Sequence, residues 1–174
     1  MVSNTTGGTK KKIMTKPTLY VDMDGVLADF YKKCKTESEK LGTPYEDYLE
    51  NHWYRVPNFF RDLEPIEGAI KGFNELWDSN LFDIYILTKP SWACTSSYTD
   101  KRLWIGDYFG DKLKDRLIMS ANKSLLIGDY LIDDWGANKN FKGEFIHFGK
   151  ENFPNWKSVT EYLITIGEIH KTKS

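Results

Sequence analysis

Residues 18–26 read Thr-Leu-Tyr-Val-Asp-Met-Asp-Gly-Val. Residues 18–23 form a short apolar run of strand formers that meets two carboxylates, Asp22 and Asp24, and then Gly25. Four further apolar runs follow: residues 82–87 ending at Thr88, the short runs 117–119 and 124–127, and residues 145–148. Short apolar runs with little polar alternation predict strands buried on both faces, as in a parallel sheet. Helical patterns lie between them. Ala69, Ile70, Phe73, Leu76 and Trp77 repeat at helical spacing ahead of the second run. Leu103, Trp104 and Tyr108 fit a helix capped by Thr99 or Asp100 and ending near Gly110, and Val159, Tyr162, Leu163 and Ile166 give a stripe of i, i+3, i+4, i+7 near the C-terminus. Alternating strands and helices predict an α/β fold with ligand sites at the carboxyl ends of the strands.

Residues 29–67 interrupt this alternation. Between positions 30 and 60 stand eight aromatics: Phe30, Tyr31, Tyr45, Tyr48, Trp53, Tyr54, Phe59 and Phe60. The segment reads as a small, mostly helical cap over the strand ends. Its rings either line a pocket for something flat or glue the insert to the core. The expected division is a flexible tail over 1–17, a core over 18–28 and 68–170, and a cap over 29–67. The tail carries Lys10, Lys11, Lys12 and Lys16 without an acid, and lacks the apolar stretch of a signal peptide.

The chain has 174 residues, enough for one domain with a small insert. Lys plus Arg is 24 against 25 Asp plus Glu, which argues against a bulk polyanion binder. Cys34 and Cys94 form no CxxC, and the three histidines show no zinc spacing. No apolar run approaches the roughly 20 residues of a membrane span. Neither GxxxxGK[ST] nor GxGxxG occurs, which disfavours a P-loop kinase or dinucleotide binder.

Asp22 and Asp24 at a strand's carboxyl end suit a hard cation such as Mg²⁺, and Gly25 permits the turn. A calcium loop would continue with oxygen ligands, whereas Val26, Leu27 and Ala28 follow here. A second acidic cluster is Gly128-Asp129-Tyr-Leu-Ile-Asp133-Asp134. Adjacent acids after an apolar run either form a solvated loop or are compensated by a cation or hydrogen bonds. Thr88 at a strand end could help cradle an anion, and Lys123 precedes the run leading to Asp133. Together these four supply acids for a metal, an acid for attack, and a hydroxyl and an ammonium for a phosphate.

The order DxDGV, strand ending in Thr, Lys, GDxxxDD resembles the four motifs of the haloacid dehalogenase superfamily of phosphotransferases. More narrowly, Asp22-Met-Asp-Gly-Val-Leu-Ala-Asp-Phe30, Asn58-Phe-Phe-Arg-Asp-Leu-Glu-Pro-Ile-Glu-Gly68 and residues 125–134 resemble the 5′(3′)-deoxyribonucleotidases, over roughly residues 18–150. The resemblance implies a three-layer Rossmann-like parallel sheet with a helical cap inserted after the first strand. It implies a Mg²⁺-dependent phosphatase for deoxyribonucleoside monophosphates. Asp22 would be the nucleophile, forming an aspartyl-phosphate, and Asp24 the general acid and base. Asp22, the Asp24 backbone carbonyl and one of Asp133 or Asp134, with Asp134 favoured, would hold the metal. Thr88, Lys123 and Lys101 would contact phosphate. Lys89 departs from the small hydroxylated residue usual after the threonine, and would add a phosphate contact or point outward. Phe30 and Trp53 would face sugar and base, an apolar wall disfavouring a 2′-hydroxyl. Closure of the cap would exclude water.

Two other readings differ in kind. The same chemistry could serve a sugar phosphate or another small phosphomonoester, because caps set specificity. The other is a non-enzyme, a receiver-like phosphoacceptor or a nucleotide-binding relic; receivers place their acid pair at the first strand and the acceptor Asp in a later one, whereas here the DxDG comes first and Asp133-Asp134 last. A small-molecule nucleotide is the expected partner, with no nucleic acid polymer and no membrane. A homodimer is an allowed assembly, and the cytoplasm is the expected location.

Overall fold

The computed structural model describes residues 15–172, so residues 1–14 of the expected tail lie outside the described residues. The chain runs β1 (Thr18–Val21), α1 (Phe30–Leu41), α2 (Tyr45–Asn51), α3 (Ala69–Ser79), β2 (Asp83–Thr88), α4 (Ser97–Phe109), β3 (Leu117–Met119), β4 (Tyr130–Asp133), β5 (Glu144–His147) and α5 (Trp156–Thr172). The five strands are all parallel, in the order β3-β2-β1-β4-β5. β1 is central, with Val21 opposite Ile86 on one side and Ile132 on the other. No helix among the described residues is long and apolar enough to cross a membrane.

The pleat explains why the apolar runs lack alternation. Leu19, Val21, Ile84, Ile86, Ile132 and Ile146 point into a large core shared with Phe73 and Leu76 of α3, Trp104 of α4 and Val159 and Leu163 of α5. Their neighbours Tyr20, Leu87 and Leu131 point the other way, into a smaller cluster with Phe141. Both faces are covered, so both parities are apolar. The third layer is thin, and two 3₁₀ turns, Lys123–Leu125 and Gly136–Asn140, lie in the connections around β4.

Two local expectations are corrected. Residues 124–127 form no strand; the fourth strand is Tyr130–Asp133. Asn122 accepts from the Ser124 N–H and tightens the chain into the 3₁₀ turn Lys123–Leu125, while Leu125 and Ile127 are exposed. Thr99 and Asp100 do not cap α4, which starts at Ser97. Asp100 instead accepts from the Ser96 hydroxyl at 2.8 Å. The remaining strands lie within a residue or two of their expected positions, and α3 and α5 carry the predicted apolar stripes.

Between β1 and α3 the chain builds α1, α2 and the 3₁₀ turn Trp53–Arg55. Its two connecting strands of chain are zipped together. Asp29 N–H donates to Glu64 C=O and Ile66 N–H to Leu27 C=O, both at 2.8 Å, around a bridge between Ala28 and Pro65. Asp29 also caps α1 by accepting from the Lys32 N–H. The buried Trp156 indole of α5 donates to Val26 C=O at 2.7 Å, tying the last helix to this neck.

α3 and α5 approach closely at Gly72. A Cβ there would sit 2.7 Å from the Thr160 hydroxyl and 2.8 Å from the Trp156 ring. Overpacking at such a contact is expected to make Gly72→Ala less stable by about 1–3 kcal/mol. A urea midpoint equal to that of the unsubstituted protein would refute this.

Candidate active site

β1 and β4 are neighbours, but the chain leaves β1 toward β2 on one side and β4 toward β5 on the other, opening a crevice at the carboxyl ends where the strand order reverses. Asp22 follows β1 directly. Its N–H donates to Ile132 C=O at 2.9 Å, extending the pairing with β4, and its Oδ1 accepts from the Met23 N–H at 2.7 Å. Asp133 ends β4 beside it. Between them stands Lys123, 2.7 Å from Asp22 Oδ1 and 2.6 Å from Asp133 Oδ2. Asp22 and Lys123 are almost fully buried and Asp133 completely so. Asp133 has both oxygens engaged, Oδ1 by the Trp135 N–H and Oδ2 also by the Asn138 amide, each at 2.8 Å.

The carboxylates of Asp22, Asp133 and Asp134 each bring an oxygen within 4.8 Å of the others. Burial pushes the Asp22 carboxyl upward, against the opposing pull of Lys123. Burial, reinforced by the charges of Asp22 and Asp133, pushes Asp134 up to about 7. Burial alone would lower Lys123, but Asp22 and Asp133 outweigh it and hold the ammonium charged. Such crowded buried acids are the donor set of a hard divalent cation, so the residues fit Mg²⁺. Gly25 keeps the place open: at φ +73° its missing Cβ would stand 2.1 Å from Asp134 Oδ2.

Asp24 is held from the other side. Its Oδ2 accepts from Lys101, a fully buried residue of α4, and its buried Oδ1 has no hydrogen-bond partner. Burial raises the Asp24 carboxyl and Lys101 opposes the rise. Thr88, at the end of β2, is also fully buried, its hydroxyl accepting from Lys101 at 2.9 Å.

A cavity of about 500 Å³ opens over these groups. Asp22, Asp24, Lys89, Lys123, Asp133 and Asp134 line its floor, and Phe30, Tyr31, Trp53 and Phe60 of the cap line its wall. Thr88 and Lys101 do not line it; they lie behind Asp24. Lys89 does line it, with its ammonium 5.6 Å from the centre of the Trp135 ring. The cap rings divide between the two readings: Phe30, Tyr31, Trp53 and Phe60 reach the cavity, whereas Tyr48 and Phe59 are buried glue and Tyr45 and Tyr54 pack, partly buried, against the core. Phe30 packs edge-on to Trp53 at 5.3 Å, and the Trp53 indole donates to Leu49 C=O at 2.9 Å.

Several lining residues escaped the sequence reading as site residues, Tyr31, Phe60, Trp135 and Asn138 among them. Tyr31, which stands beside Asp134 at Gly25, and Phe60 belong to the aromatic set but nothing in their spacing sets them apart. Trp135 follows the acid pair, which is a signal of position alone. Asn138 has no sequence signal, since its role depends on the 3₁₀ turn that brings it to Asp133.

Removing Lys123 leaves two buried carboxylates uncompensated. Lys123→Met is therefore expected to lower stability in EDTA by about 3–5 kcal/mol. An unchanged unfolding midpoint would show that the pair is not structurally coupled.

A family model described as "5' nucleotidase, deoxy (Pyrimidine), cytosolic type C protein" matches residues 16–160. A Vibrio phage KVP40 protein, provisionally named a 5′(3′)-deoxyribonucleotidase, is 40% identical over 156 residues, covering 88% of each chain. A similarly named protein of Acanthamoeba polyphaga mimivirus is 30% identical over 146 residues, covering 72% of this chain and 66% of its own. The human 5′(3′)-deoxyribonucleotidase, cytosolic type, is 29% identical over 162 residues, covering 80% of this chain and 76% of its own. With its acids, lysines and aromatic cap gathered at one crevice and these matches spanning most of its length, the chain belongs to the 5′(3′)-deoxyribonucleotidase family.

Proposed function

We propose that the protein is a Mg²⁺-dependent phosphomonoesterase that hydrolyses deoxyribonucleoside 5′(3′)-monophosphates in the cytoplasm. The observation that carries this reading is the convergence of Asp22, Asp24, Asp133 and Asp134 with Lys123 beneath an aromatic wall, in a chain of this family.

Asp22 acts as the nucleophile. Its carboxylate oxygen attacks phosphorus, the ester bond to the nucleoside oxygen breaks, and Asp24 gives that oxygen a proton. Asp24 then takes a proton from water, the water oxygen attacks phosphorus, and the bond to Asp22 breaks. Asp22, the Asp24 backbone carbonyl and Asp134 would hold Mg²⁺. Of the acid pair Asp134 is the better ligand, because both Asp133 oxygens are already engaged. The cation supplies positive charge that offsets repulsion between Asp22 and the phosphate dianion. Lys123 steadies Asp22 and stands ready for a phosphoryl oxygen, with Lys89 on the cavity floor as a further phosphate contact, while the buried Thr88 hydroxyl holds Lys101 behind Asp24. Phe30 offers the sugar an apolar face, and Trp53 a ring for the base.

Phosphate release is expected from dTMP, dUMP and dGMP with Mg²⁺, weakly from UMP, and not in EDTA. Release only from an aryl phosphate would overturn the nucleotide substrate. Asp22→Asn is expected to lower turnover at least about 10³-fold with the fold intact; a variant that retains a tenth of the activity would overturn the covalent route. Stacking on an aromatic ring stabilises a base by about 1–3 kcal/mol, so Trp53→Ala is expected to raise KM about tenfold or more with kcat little changed. An unchanged KM would remove Trp53 from the base site.

A further inference from the structure

We infer that Lys101 is a positioning residue for Asp24 and not a phosphate ligand. The inference rests on the phosphatase reading above, in which Asp24 is the acid for the leaving oxygen. A lysine ammonium has three donors. All three of Lys101 are engaged within the protein: by Asp24 Oδ2, by the Thr88 hydroxyl at 2.9 Å and by the Lys89 backbone carbonyl at 2.8 Å. Its remaining side faces the Phe60 ring, 4.5 Å from nitrogen to ring centre. The residue is completely buried and does not line the cavity, whereas Lys123 and Lys89 do. A phosphoryl oxygen could reach Lys101 only at the expense of one of those bonds. The two acceptors besides Asp24 are backbone and hydroxyl at the end of β2, so α4 and β2 together fix where the ammonium stands. The ammonium in turn fixes Asp24. It holds Oδ2, and leaves Oδ1 as the oxygen of Asp24 without a partner in the protein.

A group that acts only through the acid matters in proportion to the leaving group's need of a proton. An alkoxide leaving from a deoxynucleotide needs one; a dinitrophenolate does not. The value of kcat/KM reports only steps up to transfer of phosphorus to Asp22, so the later water step does not blur the comparison. General acid catalysis contributes about 10²–10⁴-fold, so Lys101→Met is expected to lower kcat/KM for dTMP about 10²-fold or more. For 2,4-dinitrophenyl phosphate the change is expected to stay within about threefold, because that leaving group departs without an acid. A parallel fall on both substrates would identify a phosphate ligand and overturn the inference.

Lys101→Met alone leaves a buried carboxylate unpaired and could unfold the chain, so a second comparison decides the question independently. Asp24→Asn and Asp24→Asn/Lys101→Met leave no unpaired carboxylate at Asp24. Residues that act as one unit are not additive, so the two variants are expected to share kcat/KM on 2,4-dinitrophenyl phosphate within about threefold. A further tenfold fall in the double variant would overturn the inference. Failure of the underlying reading looks different: the unsubstituted protein with Mg²⁺ would leave both substrates intact. Activity on the aryl phosphate alone would discard the nucleotide but leave the Asp24→Asn comparison decisive.

Discussion

The structure turns on one buried ammonium. Lys123 sits between Asp22 and Asp133, at 2.7 and 2.6 Å, where the two central strands end. Four carboxylates converge there, and concentrating them out of water is strongly unfavourable without positive charge. Lys123 has to enter from below the crevice, and that requirement explains the local backbone. The chain before β4 must coil to deliver it, so residues 123–125 form a 3₁₀ turn capped by Asn122 where an extended run would have carried the lysine past. Leu125 in this turn and Ile127 just beyond it are exposed.

A second ammonium divides the labour. Lys123 pairs with Asp22 and faces the cavity; Lys101 pairs with Asp24 from behind and packs against the Phe60 ring. The two acids lie two residues apart at the end of β1, yet each has its own cation from a different element. Pairing each acid separately gives the two carboxylates distinct environments. Gly25 completes the arrangement by leaving room for Asp134.

The cap is joined to the core at a narrow, hydrogen-bonded neck formed by residues 27–29 and 64–66. The same short segment that carries Asp22 and Asp24 therefore leads directly into the aromatic wall, beginning with Phe30 at the start of α1. Phe60 belongs both to the cavity wall and to the surroundings of Lys101, so the aromatic wall and the Lys101–Asp24 pair share a side chain.

Much of this was legible in the residue order. Apolar parity on both faces announced the parallel sheet, because a strand covered twice cannot alternate. Asp22, Asp24, Thr88, Lys123 and Asp133–Asp134 stood out because strand ends are where an α/β sheet exposes chemistry, and because their order resembles that of a known superfamily. Other features depended on packing. Residues 124–127 look like a strand, but Asn122 caps a 3₁₀ turn there that places Lys123 between Asp22 and Asp133. Asn138 and Tyr31 reach Asp133 and Asp134 by turns that no spacing predicts. Which of eight cap rings line the cavity and which are glue was likewise settled by packing, as was the face of Lys101. Periodicity and motif order are local properties of a chain, so the sequence by itself determined the fold class and the list of reactive groups. Which charge neutralises which acid depends on distances between elements far apart in the chain, and only the tertiary structure decided that.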